Sequence, residues 1–258
     1  MLQACMHDLS DLVHHLNALL RISELPDYPQ ALNGLQLESH SGRVSRVAAA
    51  VDASAPVIAE AIAQGADLLL VHHGLFWSGL QPCTGPVFKR LQPAMAAGLA
   101  VYSAHLPLDV HPELGNNAQL AAALGLQVSG SFLPYKGLPI GLICDADLSL
   151  TELEARLDKA LQGARVHPCR GGAGHCRRVG ICSGGSGSEV AAAAAAGVDC
   201  FITGEGPHWS YTLAEELGLN VLYGGHYATE TFGVKALAAS LTQSHQLPWS
   251  FIDRPSGL

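Results

Sequence analysis

Apolar residues recur at helical spacing through the first part of the chain. Leu9, Leu12, Val13, Leu16, Leu19 and Leu20 share one side of a helix predicted over residues 8–21. A loop punctuated by Pro26, Asp27 and Pro29 follows. Residues 46–51 then read as a strand. Ser54 is placed to cap a helix with Pro56 in its first turn, and Gly65 ends that helix just after Gln64. Residues 67–71 (DLLLV) form a short apolar run, the pattern of a strand buried on both faces of a parallel sheet. The order strand–helix–strand is a βαβ unit, and His72-His73-Gly74 stands directly at its end.

The same unit recurs at an offset of 132 residues, without a gap. Arg46-Val47 falls on Arg178-Val179, Ser54 on Ser186, Gly65 on Gly197 and Asp67 on Asp199. His72-His73-Gly74 falls on Gly204-Glu205-Gly206, and Trp77-Ser78 on Trp209-Ser210. Further on, Gly98-Leu99-Ala100-Val101 matches Gly218-Leu219-Asn220-Val221, and each stretch leads to a His with an acid four residues later: His105 with Asp109, His226 with Glu230. This predicts an α/β protein of two duplicated three-layer α/β/α halves with mainly parallel sheets. The halves are residues 1–125 and 126–258, with the C-terminal segment able to pack back on the first. Between the matched units, a strand is expected over residues 138–144. A helix is expected near Thr151, where Thr-Glu-Leu-Glu has a capping-box pattern, followed by a turn rich in Gly, Arg and Cys.

Composition narrows the function classes. The 258 residues are 48% hydrophobic and only 14% charged, which excludes a disordered chain and a coiled coil. Fourteen basic against 22 acidic residues give a net charge of −8, which argues against a protein built mainly to grip nucleic acid through its phosphates. No apolar run approaches the roughly 20 residues that span a bilayer, so no membrane partner is expected. The N-terminus lacks a basic region ahead of an apolar stretch and carries Asp8 and Asp11, so it does not read as an export signal. With seven Cys and no such signal, free thiols in the cytoplasm are expected.

The candidate chemistry gathers at strand ends, where open α/β sheets bind ligands. Adjacent residues there point in opposite directions, so His72 and His73 can serve two ions, or can simply be hydrogen-bonded loop histidines. His226 and Glu230 lie one helical turn apart. In the counterpart His105…Asp109, Pro107 favours a loop. A mixture of imidazoles and carboxylates suits Zn, Mn, Fe, Co or Ni. Gly184, Gly185 and Ser186 open a predicted helix and are a candidate anion or substrate cradle, or a plain tight turn. Glu205 and His208 follow the strand equivalent to the one ending in His72, and with His105 they are candidate proton-transfer groups. Arg165, Arg170, Arg177 and Arg178 form the only basic cluster, a solvated loop or a phosphate contact. His14-His15 reads as helix surface.

Six blocks in order carry a resemblance that covers essentially the whole chain. They are Asn33-Gly34-Leu35-Gln36; Ala66-Asp67 leading to His72-His73-Gly74; Ser103-Ala104-His105 with Leu108-Asp109; Thr203-Gly204-Glu205; Gly225-His226-Tyr227-Ala228-Thr229-Glu230; and Gly233-Val234-Lys235-Ala236-Leu237. In these the chain resembles a bacterial short form of the NIF-three-like family, whose members carry the label GTP cyclohydrolase I type 2 homologue. The resemblance implies a dinuclear metal site between the halves, with His72, His73, Asp109, His226 and Glu230 as ligands and Glu230 as the bridge. It also implies self-association into a hexameric ring. The expected function is a hydrolase using two divalent ions per chain on a small molecule, a nucleotide such as GTP or another phosphoester. The alternative is a non-enzymatic metal-binding scaffold or regulatory factor.

Overall fold

The structure, a computed structural model, describes residues 6–258. Cys5 and the start of the segment read as carrying no export signal lie outside the described residues. The chain divides into two compact units. One holds the residues through Leu108 together with Val234–Arg254, the other Asp109–Gly233 with Pro255–Leu258. The division falls at Leu108 rather than near residue 125, so the helix Asn116–Leu124 belongs with the second unit.

In the first unit the sheet runs Trp249–Phe251, Val47–Asp52, Leu68–His73, Ala100–Ser103, Gly34–Leu37. Its pairings are parallel except the last, which is antiparallel. Alternate residues of the central strands, Ala48, Ala50, Leu69, Val71 and Val101, pack against Val57, Ile58 and Ala61 of the helix Ala55–Ala63. The helix Leu9–Leu19 is reached from the other face, where the Tyr102 hydroxyl donates to Asn17. The predicted cap forms, Ser54 accepting from the Val57 N–H, and Asp8 caps the first helix by accepting from the Ser10 N–H.

In the second unit the order is Gln127–Tyr135, Leu138–Ser149, His175–Cys182, Cys200–Thr203, Asn220–Tyr223, His167–Arg170. Only the two pairings among His175–Cys182, Cys200–Thr203 and Asn220–Tyr223 are parallel, and the other three are antiparallel. The expectation of mainly parallel sheets therefore holds in the first unit and in the duplicated core of the second, but not at that sheet's edges. One cause is a hairpin whose turn, Lys136-Gly137, has both φ angles positive (48° and 86°), the geometry of the tight turns that join antiparallel strands. The other is that the Arg- and Cys-rich stretch, read as a turn, builds two strands. Cys169 and Cys176 are buried while Arg170, Arg177 and Arg178 are exposed, and a register shift between Cys176 and Arg178 breaks the alternation that would mark a strand in sequence. The helix near Thr151 spans Leu150–Ala160. Its cap is Ser149, which accepts from the Glu152 N–H, two residues earlier than the expected Thr151, while the Glu152 carboxylate pairs with Arg156. Both faces of the sheet are covered. Leu120, Leu153 and Leu157 pack on Val179, Ile181 and Ile202, while Val190, Ala193 and Ala214 pack on Phe201 and Val221.

The duplication is visible in the register. Val47 pairs with Leu68 and Val179 with Cys200, while Leu68 pairs with Ala100 and Cys200 with Asn220. Asp67 accepts the Ser45 and Arg46 N–H groups, and Asp199 accepts those of Arg177 and Arg178. Gly65 and Gly197 stop their helices at φ 69° and 72°.

Candidate metal centre

His72 and His73 are the last two residues of the strand Leu68–His73, with His72 fully buried. His72 Nδ1 donates to the Ala104 carbonyl at 2.9 Å. A carbonyl only accepts, so this bond fixes the tautomer and makes Nε2 the basic nitrogen. His73 Nδ1 sits 2.9 Å from an Asp52 carboxylate oxygen on the neighbouring strand, where the two residues are in register. His105 follows the strand Ala100–Ser103, and its Nδ1 lies 2.9 Å from Asp27 Oδ1. The ligand atoms of His72, His73 and His105 all fall within 4.8 Å of one another.

Residues far apart in sequence set this geometry. Asp27 accepts from His105, from the Leu106 N–H at 2.9 Å and from the Asn33 amide at 2.7 Å. Burial pushes the Asp27 carboxyl up, but the His105 contact and the Asn33 and Tyr28 hydrogen bonds outweigh it and hold the group below the usual carboxylate range. Asn33 Oδ1 accepts the His105 N–H at 2.7 Å. Gln36 accepts the Leu75 N–H at 2.7 Å and donates to the Ala31 carbonyl, so its amide lies where a side chain on Gly74 would collide with it. Trp77 covers the cluster, its ring 4.6 Å from that of His105 and 5.0 Å from that of His73. Of these supports, Asp27 reads in sequence only as loop punctuation, and Asp52 carries no signal beyond its place at a strand end.

The second unit carries its own set. Asp109 ends the single turn Leu106–Asp109 and is buried. The expected loop is helical, because Pro107 sits in the first turn where its missing N–H costs nothing. Asp109 Oδ1 accepts from the Asn116 amide at 2.8 Å and the Ser183 hydroxyl at 3.4 Å. Asn117 accepts the Ser183 N–H at 2.8 Å. Both asparagines are buried, and no pattern in the sequence marks either. His226 opens the turn His226–Thr229, and its Nε2 lies 3.2 Å from Glu230 Oε1 while Nδ1 lies 2.8 Å from Glu205 Oε1. Burial alone would lower the His226 pKa, but the Glu230 and then the Glu205 carboxylates raise it to about 9. Metal bonds of about 2.0–2.2 Å at near-tetrahedral angles place two ligand atoms roughly 3.0–3.5 Å apart, so the His226–Glu230 spacing suits one shared ion.

Among the expected proton-transfer groups, Glu205 is occupied in orienting His226. His208 begins the helix His208–Glu216 beside a cleft, and His105 joins the histidine cluster. At the glycine turn, the Gly184 N–H is spent on Thr229 Oγ1 at 3.0 Å, and a Cβ on Gly184 would collide with the Glu230 carboxylate. The Ser186 hydroxyl is engaged with Cys182 and the Ser183 carbonyl. What the turn does is leave room for Glu230. His15 is not plain surface: its ring stands 4.7 Å from His245, which in turn lies 5.3 Å from His7.

The donors are imidazole nitrogens and carboxylate oxygens, each imidazole oriented through Nδ1 as metal-binding histidines usually are. The buried His and Glu groups can therefore hold a metal ion. The six described cysteines are free, and none belongs to a metal-holding group.

Residues 7–256 match the profile described as Duf34/NIF3 (NGG1p interacting factor 3). The chain belongs to this family. A relative from Deinococcus radiodurans called GTP cyclohydrolase 1 type 2 homolog is 42% identical over 250 residues, 96% of this chain and 94% of that protein. A relative of the same name from Pyrococcus horikoshii is 40% identical over 253 residues, 97% of this chain and 100% of that one. Among solved structures, TTHA1606 from Thermus thermophilus is 40% identical with a TM-score of 0.86, covering 98% of this chain and 100% of that one. Protein ybgI, described as of unknown function, is 36% identical with a TM-score of 0.90, again covering 98% and 100%. Among the described residues, no helix is long and apolar enough to cross a membrane.

Proposed function

We propose that the protein is a metal-dependent hydrolase in which His72, His73, Asp109, His226 and Glu230 hold two divalent ions, with Glu230 shared between them. What carries this reading is the common orientation of the histidines. His72, His73 and His226 each have Nδ1 on a carbonyl or carboxylate, which assigns Nε2 to the metal, and at His226 an ion would displace the proton that Glu230 and Glu205 hold on the ring. Two bound ions supply Lewis-acid activation of water near neutral pH and a clamp for substrate oxygens.

The chain's own groups do the rest. Asp52 and Glu205 keep the His73 and His226 rings in place. His105, with Nδ1 on the buried Asp27, has its Nε2 to take up a proton, and Asp27 stabilises the imidazolium that forms. Trp77 shields the histidine cluster from water. The relatives' name supports a nucleotide such as GTP as substrate, with water attacking purine C8 to open the ring. Phosphoester hydrolysis fits the same donors. The apolar Phe88 and Met95, exposed on the helix Gly85–Ala97, support self-association, proposed as a ring of six.

The test is metal content per chain for wild type and Glu230→Ala purified without chelator, followed by a screen of nucleotides and phosphoesters. About two ions in wild type, lost in the variant together with turnover, is the expected result. Wild type that takes up no metal after refilling with Zn, Mn and Fe overturns the reading. Metal without turnover on any substrate leaves a metal-binding scaffold.

A further inference from the structure

A cleft of about 510 Å³ opens in the second unit, lined by Arg165, His167, Glu205, His208, Tyr211 and Tyr223 among others. Its volume falls in the range of roughly 300–1,000 Å³ typical of small-molecule sites. Arg165 is the one permanently charged cation among the lining residues. Among the described residues, Arg165 and His208 make no side-chain hydrogen bond or ion pair, and the contact of the His167 ring is with Tyr211, 5.8 Å between centroids. Glu205 is the one acidic side chain among the lining residues, which also include Leu258, the last residue, and its carboxylate is committed to His226 at 2.8 Å. The Tyr223 hydroxyl is paired with Ser210 at 2.8 Å, and Tyr211 and Tyr223 give the lining its aromatic part.

We infer that this cleft binds the phosphate group of a small phosphomonoester. Arg165 takes the oxyanion, His167 and His208 flank it, and the organic part lies against Tyr211 and Tyr223. Arginine suits this task, because its planar fork matches phosphate oxygens bidentately. The cleft is too large for a bare ion and borders the carboxylate that orients His226, so a ligand seated there extends toward the candidate metal centre. The inference shares a substrate with the hydrolase reading but needs no metal for binding.

The experiment is calorimetric titration of the full-length protein with GMP, guanosine and inorganic phosphate. The proteins are metal-loaded wild type, chelator-treated wild type, Glu230→Ala, Arg165→Ala, Arg165→Lys and Arg178→Ala. GMP is expected to bind with or without metal. Arg165→Ala should weaken it roughly ten- to a hundredfold, the cost of losing charge-assisted hydrogen bonds, and Arg165→Lys should recover part of that. Guanosine should bind at least tenfold more weakly than GMP. Arg178→Ala, whose guanidinium rests on the Ala196 carbonyl, should bind as wild type does. GMP binding that vanishes with the metals and ignores Arg165→Ala overturns the proposal. Inorganic phosphate binding as tightly as GMP overturns the assignment of a phosphomonoester. A protein that takes up no metal but still binds GMP through Arg165 removes the hydrolase reading and leaves the cleft standing.

Discussion

His226 Nε2 and Glu230 Oε1 stand 3.2 Å apart, one helical turn along the chain, while the other ring nitrogen of His226 is held by Glu205. The imidazole is thus fixed at both ends before any ion arrives, and Glu205 does its work through His226 alone.

Removing Glu205 should therefore loosen the metal centre without removing a ligand. Glu205→Ala is expected to weaken metal affinity by roughly 10–100-fold, the usual cost of losing a carboxylate behind a ligating histidine, with Glu205→Gln in between. Competition against a chromophoric chelator measures this. Unchanged affinity in Glu205→Ala would sink the orienting role.

Gly184 should tolerate no side chain. It sits at φ +67° and a Cβ would strike the Glu230 carboxylate. Gly184→Ala is expected to cost about 1–3 kcal/mol from backbone strain and to lower metal content as well. Thermal unfolding and metal analysis of the same sample check both effects. A variant matching wild type in both shows that the turn is not what makes room for Glu230.

Asp27 should matter for stability despite lying in a loop. It accepts four hydrogen bonds, from His105, Leu106, Asn33 and the adjacent Tyr28 N–H. Asp27→Ala leaves those donors unsatisfied and should cost about 2–4 kcal/mol in urea unfolding, at about 1–3 kcal/mol per buried donor with partial relaxation. Asp27→Asn keeps the shape and should cost less. Loss below about 0.5 kcal/mol in Asp27→Ala, the size of an ordinary surface change, would contradict the role drawn for it.

The cluster of His7, His15 and His245 gives a pH dependence. Burial, then the neighbouring His15 and His7, hold the His245 pKa below its usual 6.5. A folded-state pKa below the unfolded one means the folded protein binds this proton less readily than the unfolded chain. The group therefore costs no stability above pH 6.5, and stability falls as the pH drops below that value. His245→Gln should flatten the fall in melting temperature between about pH 7.5 and 5 relative to wild type, and equal slopes would exclude the cluster as a source.

The amino-acid sequence by itself determined the repeat. An offset of 132 residues and the punctuation of Gly65 and Gly197 follow from local chemistry, because a buried parallel strand needs an apolar run and a helix must stop somewhere. It also determined which residue types could meet a metal, since His72, His73, His226 and Glu230 sit at strand ends or one helical turn apart. The tertiary structure alone decided the supports. Asp27 reaches His105 across 78 residues, Asn117 reaches Ser183 across 66, and Gln36 reaches Leu75 across 39. Such partners have no periodicity to betray them, because a hydrogen bond between distant loops depends on where the sheet carries each loop. The strands His167–Arg170 and Gln127–Tyr135 are illegible in the sequence for a related reason. An edge strand needs only alternate inward residues and a neighbour to pair with, and the neighbour is supplied by the fold.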